Sequence, residues 1–336
     1  MIGRIWAILQ ARNIEFVRDR ASMAWALLMP FGLVFGLGLI FSGGDQDQFT
    51  VAVAGASEIA PEVNPFFDTR FIDFVAVDDL EAAQRKVGRH QYDLLLDVGA
   101  GVRYWVNPES PTGYIVERLL RQVQPDAERE VVTGDAIRYV DWLVPGILGM
   151  NMMFSCLFGV GYVVVRYRKN GFLKRLRATP LHAFEFMSAQ ALSRLILTLA
   201  VQVGVFVGVK LLLDIRMEGS YLALLLVAFL GCSALISLSL VLAARVSSEE
   251  LAGGLVNLIG LPMVLLSGVF YSLEGSAVWL QRVAGILPLT QMLDAARAVM
   301  IDGAGVLDVL PQLAYLGIMT VAFLALGSAL FRWSFT

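Results

Sequence analysis

Apolar positions in this chain gather into long unbroken runs, separated by short polar segments and one long polar interruption. The runs cover residues 22–41, 142–165, 184–213, 221–244, 251–270 and 312–331. About twenty apolar residues in a helix cross roughly 30 Å of hydrocarbon. The pattern therefore predicts an α-helical polytopic membrane protein with six transmembrane helices. Residues 42–141 read differently. Short apolar stretches at Phe49–Ala54, Tyr92–Val98 and Val102–Val106 predict strands, and Asp78–His90 and Thr112–Val140 predict helices, the second able to run on into span two. That segment is a small α+β domain between spans one and two. Ahead of span one, Ile2, Ile5, Trp6, Leu9, Phe16 and Val17 recur at near-helical spacing, with Arg4, Arg12, Arg18 and Arg20 between them. Residues 1–21 thus predict an amphipathic helix in the membrane interface; the alternative is a charged start that only fixes orientation. Residues 273–311 are too polar to span, yet Val278, Leu280, Val283, Ile286 and Leu287 keep a helical stripe. They predict two short helices resting at the outer interface. Residues 142–336 then form a five-span membrane domain.

Charge decides which side is which. Residues 166–182 carry Arg166, Arg168, Lys169, Lys174, Arg175 and Arg177 and no acid. Each cation at a bilayer centre costs about 2.5–3.5 kcal/mol on insertion scales, and short basic loops stay in the cytoplasm. This segment is therefore a cytoplasmic turn between spans two and three, placing both ends of the chain inside. The segments read as inner hold twelve Lys and Arg against four acids, Glu15, Asp19, Glu249 and Glu250. The polar domain, from residue 45 to 141, holds eighteen acids and nine bases, and it falls outside the cytoplasmic membrane. Composition agrees, with 57% hydrophobic residues, 16% charged and a mean hydropathy of +0.68.

Candidate chemistry is sparse. Cys156 and Cys232 lie inside apolar runs, and His90 and His182 are far apart, so neither a disulfide framework nor a metal motif is expected. The four lysines precede Val87, Asn170, Arg175 and Leu211; no GxxxxGK[ST] phosphate loop exists. The chain is expected to be no enzyme and to bind no nucleic acid and no cofactor. Intramembrane acids are nearly missing, which argues against proton-coupled transport. Arg194 and Lys210 sit near span ends and read as snorkelling cations. Gln202, mid-span, and Asn257, in a helix broken by Gly260, Pro262 and Gly268, could line a path or serve helix packing.

The stretch NGFLKRLRATPLHAFEF resembles the cytoplasmic turn of the ABC type-2 exporter permeases. LPMVLLSGVFYSLEGSAVWLQRVAGILPLTQMLDAAR resembles the same family's second signature, carried by Ser267, Gly268, Val269, Phe270 and Tyr271, then Leu287-Pro288-Leu289-Thr290, then Asp294, Ala295 and Arg297. Lys169-Asn170 stands where the family often has an acid before the turn's Gly, and Tyr271-Ser272 where Tyr-Pro is usual. The resemblance implies the permease subunit of an ATP-driven ABC exporter in a bacterial cytoplasmic membrane. It implies cytoplasmic ABC ATPase subunits, with ATP and Mg bound on them, and a second permease as homodimer or heterodimer. Gly171, Leu173, Lys174, Arg175, Leu176, Arg177, Thr179 and Pro180 would couple to the ATPase, together with the interfacial helix through Trp6, Arg12 and Arg18. Gln202, Asn257, Pro262, Ser267 and Gly268 would line the pathway for a hydrophobic or amphipathic substrate such as a drug, lipid or secondary metabolite. The other reading is a non-transporting scaffold whose outer domain recruits an envelope partner.

Overall fold

The computed structural model describes residues 2–40, 49–55, 59–99, 101–134, 138–172, 175, 183–246, 248–273 and 277–330. They divide into two compact units: Met1–Ile40, Val140–Leu273 and Val278–Thr336 in one, Phe41–Tyr139 with Glu274–Ala277 in the other. The chain opens with α1 (Ile2–Arg18) and α2 (Arg20–Ile40). Leu9, Arg12, Asn13 and Phe16 form the less exposed face of α1, while Trp6, Ile14 and Val17 stay exposed. An apolar stripe thus remains on its outer side. α2 covers the stretch read as span one, and its described apolar segment is Ala26–Phe35.

The polar unit is built on five strands: β1 (Phe49–Ala54), β2 (Ile72–Ala76), β3 (Leu94–Asp97), β4 (Arg103–Val106) and β5 (Glu128–Val131). Their order is β2-β1-β3-β4-β5; only the β3–β4 pair is antiparallel. Alternation along the strands sends side chains to opposite faces. Val51, Val53, Leu94, Leu96 and Tyr104 pack with Val116 and Leu120 of α4 (Pro111–Val123). Ala52, Leu95 and Trp105 pack with Ala83 and Val87 of α3 (Leu80–Gly88). Helices therefore cover both faces. Asp79 and Ser110 cap α3 and α4 by accepting from the Ala82 and Gly113 amides. β5 is a charged edge of exposed Glu128, Arg129 and Glu130, which discourages strand addition. The helix expected over Thr112–Val140 is instead α4 followed by β5. Pro125 between them removes an amide donor and clashes with the preceding turn, so a continuous helix is excluded.

Among the described residues, five helices are long and apolar enough to cross a membrane: Tyr139–Lys169, Glu185–Leu213, Tyr221–Ala243, Glu249–Leu266 and Leu310–Leu330. The first is α5 (Tyr139–Cys156), a π-helical turn (Leu157–Tyr162) and α6 (Val163–Lys169). The others are α7 (Ala183–Leu213), α8 (Tyr221–Ala243), α9 (Glu249–Leu266) and α12 (Leu310–Leu330). α10 (Val278–Gly285) and α11 (Pro288–Met300) lie between α9 and α12 in sequence. α10 keeps exposed Val278 and Trp279. α11 differs from a helix resting on the surface: Leu289, Met292, Leu293, Ala296 and Val299 are buried in the same core as Met153, Val227 and Leu235. Its polar residues misled the sequence reading because Thr290 and Arg297 are hydrogen-bonded inside that core. α9 ends four residues before the predicted limit, where Gly268 takes φ +65°. That left-handed conformation suits glycine and terminates helices.

The π turn has a local cause. Leu157 and Gly161 stand four residues apart, the spacing of an α-helical hydrogen bond. The hydroxyl of the buried Ser239, on α8, accepts from the Gly161 amide at 2.6 Å and donates to the Leu157 carbonyl at 3.0 Å. A side chain inserted into the ladder widens the turn. A Cβ on Gly161 would sit 2.7 Å from Ser239 Oγ, so glycine admits the insertion. Ser239→Ala is expected to strand the Gly161 amide and cost about 1–3 kcal/mol. Thermal denaturation in detergent measures this, and an unchanged melting temperature would sink the account.

Candidate functional site

The C-terminal end of α6 is held from three directions by four consecutive residues. Arg166 Nη2 lies 3.6 Å from Glu15 Oε1 on α1. The Tyr167 hydroxyl donates to Glu15 Oε2 at 2.8 Å and accepts from Arg12 Nη1. Arg168 turns the opposite way and donates to the Ala243 and Val246 carbonyls at the end of α8, at 3.1 and 2.5 Å. A cation on those last carbonyls supplies partners they lack and complements the helix dipole. Lys169 Nζ lies 3.6 Å from Glu249 Oε1 and 3.9 Å from Glu250 Oε1, in the first turn of α9. Tyr162, about two turns before Lys169, donates to Glu249 Oε2 at 2.7 Å.

Successive residues on a helix point about 100° apart, so a run of four reaches all sides. That geometry lets Arg166–Lys169 engage α1, α8 and α9 at once. α1 is tied on its other flank to α7: Arg12 Nε donates to Gln190 Oε1 at 2.9 Å, and Ser193 Oγ to Asn13 Oδ1 at 2.6 Å. The Tyr167 ring also meets the Phe172 ring at 4.8 Å between centroids, carrying the contact into the basic turn. Asn170 and Gly171 close α6, with Gly171 at φ +70°.

The six cations of the turn thus separate. Arg166, Arg168 and Lys169 are engaged within the chain, while Arg175 is exposed. Leu173, Lys174, Leu176, Arg177, Thr179 and Pro180, expected to couple to an ATPase, lie outside the described residues. Of the interfacial residues, Arg12 faces the bundle and Trp6 and Arg18 are exposed. The sequence reading did not single out Glu15, Tyr162, Tyr167 or Glu249. A signal was present: Glu15, Glu249 and Glu250, three of the four acids in the segments expected inside, pair with this short basic run.

Of the five residues expected along a pathway, Gln202 alone lines either of two cavities. One is an apolar groove of about 520 Å³ between α5, α7, α8 and α11, bordered by Met152, Phe206, Leu225 and Met292. Gln202 is buried there, and neither its Oε1 nor its Nε2 has a partner. Asn257 and Pro262 are exposed on α9. Ser267 and Gly268 belong to a latch instead. Thr290 and Ser267 hydroxyls are 2.9 Å apart, and Arg297 Nη2 donates to the Gly268 carbonyl at 2.7 Å. The Arg297 guanidinium also stacks 3.8 Å from the Trp142 ring centroid. A Cβ on Gly146 would meet the Val269 carbonyl at 2.3 Å, so span two approaches this loop as only glycine allows. The second signature therefore folds upon itself, which accounts for its Ser-Gly and its distant Arg.

The second cavity, about 460 Å³, is the more polar of the two and lies against α1, α2, α5 and α7. Arg194 enters it, donating to the Ser155 carbonyl and hydroxyl, both at 2.7 Å, with its guanidinium 5.7 Å from the Phe16 ring centre. It therefore turns onto α5 and is not simply snorkelling. Lys210 reaches the Tyr221 hydroxyl at 2.5 Å.

A sequence model of the ABC-2 type transporter family matches residues 91–301, more than half of the chain. The inner membrane transport permease YhhJ of Escherichia coli (strain K12) is 28% identical over 183 residues, covering 54% of this chain and 49% of that protein. The probable multidrug ABC transporter permease YbhR of the same strain is 23% identical over 199 residues, covering 58% and 53%. The chain spans about half the length of these curated relatives.

Proposed function

Since this chain belongs to the ABC-2 type transporter family, we propose that it is the membrane-spanning permease subunit of an ATP-driven exporter. It sits multi-pass in a bacterial inner membrane, with α2 as a sixth span. Both α1 and the end of α12 face the cytoplasm, and the sheet-bearing unit faces outward. The outer stripe of Trp6, Ile14 and Val17 suits α1 to the membrane interface. ATP and Mg are bound by separate ATPase subunits, and this chain contributes no catalytic group. The cargo is hydrophobic or amphipathic, and the apolar groove around Gln202 is the element suited to it. The exposed α9 face carrying Asn257 suits a second permease, identical or a sibling.

One observation carries the coupling role: Arg166–Lys169 join α1, α8 and α9 at the foot of span two, immediately before the basic turn. A push on that turn reaches three helices through short polar contacts. Elements tied this way move as bodies, the requirement for switching access. With Arg166, Arg168 and Lys169 already engaged, Lys174, Arg175 and Arg177 are the cations that meet an acidic ATPase surface.

The test is a mild-detergent pull-down of the tagged chain from its native membrane. Recovery of a soluble ATPase in about a one-to-one ratio is expected. The double variant Lys174→Glu, Arg175→Glu is expected to lose most of that ATPase while inserting normally. Retention of the ATPase by the double variant overturns the docking role. Recovery of an envelope protein without any ATPase overturns the exporter reading in favour of a scaffold.

A further inference from the structure

The geometry points to the polar cavity between α1, α2, α5 and α7 as a binding site for the anionic head of an amphiphile. Its lining is rich in donors without acceptors. Gln190 is 2% exposed; its Oε1 is occupied by Arg12, which orients the amide, and its Nε2 has no partner. Asn151, 8% exposed, leaves its Nδ2 without a partner as well. Both residues line the same cavity as Arg194. Among the described residues no carboxylate pairs with Arg194; its contacts are Ser155 and the Phe16 ring. Buried donors without acceptors are unfavourable. A guanidinium and two amide NH₂ groups lining one cavity match a group offering several acceptor oxygens, a phosphate or a carboxylate.

The surrounding charge agrees. Arg12, Arg166 and Arg194 face Glu15 and Asp19 across the cavity, a net charge of +1. Glu15 is already engaged by Arg12, Arg166 and Tyr167. Phe154, Phe158, Val163 and Leu197 supply an apolar wall for a tail. The space for the cation comes from Gly159 in the π turn, where a Cβ would stand 2.0 Å from Arg194 Nε. The site is distinct from the apolar groove around Gln202, which holds no such donor cluster. It rests on the chain being embedded in a membrane, as proposed above, but not on an ATPase partner.

The experiment uses the purified full-length chain in maltoside detergent, with dodecyl phosphate as the probe and dodecanol as the neutral control. Wild type is expected to bind dodecyl phosphate at least tenfold more tightly than dodecanol, with a rise in melting temperature. Arg194→Gln is expected to abolish that preference and Arg194→Lys to restore part of it. Gln190→Leu and Asn151→Leu remove donors that lack partners. Asn151→Leu is expected to leave the ligand-free protein as stable as wild type or more so, yet weaken probe binding tenfold; Gln190→Leu also removes the Oε1 acceptor of Arg12, so its binding loss is read against the stability of Arg12→Ala. That combination separates a site from a packing defect. Equal affinity for phosphate and alcohol, or unchanged affinity in folded Arg194→Gln, overturns the proposal. Chains in phosphatidylglycerol and phosphatidylcholine nanodiscs distinguish the source. Competition by phosphatidylglycerol alone makes the ligand a bilayer lipid, and competition by neither assigns the site to an exported amphiphile. Because binding is read without ATP, failure of the ATPase pull-down leaves this result standing.

Discussion

Arg297→Ala is expected to lower stability by about 3–5 kcal/mol. Two interactions disappear together. A desolvated cation–π contact is worth about 2 kcal/mol, and a charge-assisted hydrogen bond about 1.5–3 kcal/mol. Arg297 makes both, over Trp142 at 3.8 Å and to the Gly268 carbonyl at 2.7 Å. It therefore joins α11 to the N-terminal end of α5 and to the turn closing α9. The melting temperature in detergent should fall on the order of 10 °C. Arg297→Lys keeps a cation near Trp142 but loses the planar fork, and should recover about half of the loss. A double-mutant cycle with Trp142→Leu should give a coupling of about 1–2 kcal/mol, the range for groups in contact. Additive single effects would show that the stacking contributes nothing.

Arg12→Ala is expected to leave ATPase association intact and lower ATP-driven export about tenfold, the equivalent of about 1.4 kcal/mol of coupling. Arg12 meets Glu15, Tyr167 and Gln190 at once. It ties α1 to both α6 and α7, beside the Glu15 contacts to Arg166 and Tyr167 and the Asn13–Ser193 bond. Removing it loosens α1 while leaving Lys174, Arg175 and Arg177 in the chain unchanged. Tyr167→Phe is the gentler version, since the ring still packs on Phe172 and only the hydroxyl to Glu15 and Arg12 is lost. A smaller fall, about threefold, is expected. The measurement is ATPase rate against substrate export in proteoliposomes. Export that tracks ATP hydrolysis as in wild type would remove α1 from the coupling path. Reversing Lys174 and Arg175 should do the opposite and remove the ATPase itself, so docking and transmission separate.

Five of the predicted spans lie within a few residues of the observed helices, because a run of twenty apolar residues leaves the backbone few alternatives. The errors have physical causes. The α4–β5 break turned on Pro125, which the apolar periodicity on either side outweighed. β2 and β5 escaped because charge interrupts their apolar runs: Asp73 within Ile72–Ala76, and three charges in the four residues of Glu128–Val131. α11 read as a surface helix because its Thr and Arg were weighed as solvated groups. Their partners, Ser267 and the Gly268 carbonyl, lie more than twenty residues earlier.

The residues of the turn show the same division. Its six cations and missing acids state its polarity directly, since formal charge depends on residue type alone. Which of those cations face outward does not follow from type. Arg168 differs from Arg166 only by two positions, about 200° around a helix, and this sends one to the carbonyls of α8 and the other to Glu15.

By itself, then, the sequence determined the membrane class, the approximate limits of five long apolar helices and the family. Each of these depends on local hydropathy, local charge or contiguous motif residues. Only the tertiary structure decided that Arg166–Lys169 tie three helices together, that Ser239 opens the π turn, that Arg297 closes the latch on Gly268, and that Arg194, Asn151 and Gln190 share one cavity. Those facts depend on pairs of residues far apart in the chain. Their meeting is set by how the helices pack, which no single stretch of sequence contains.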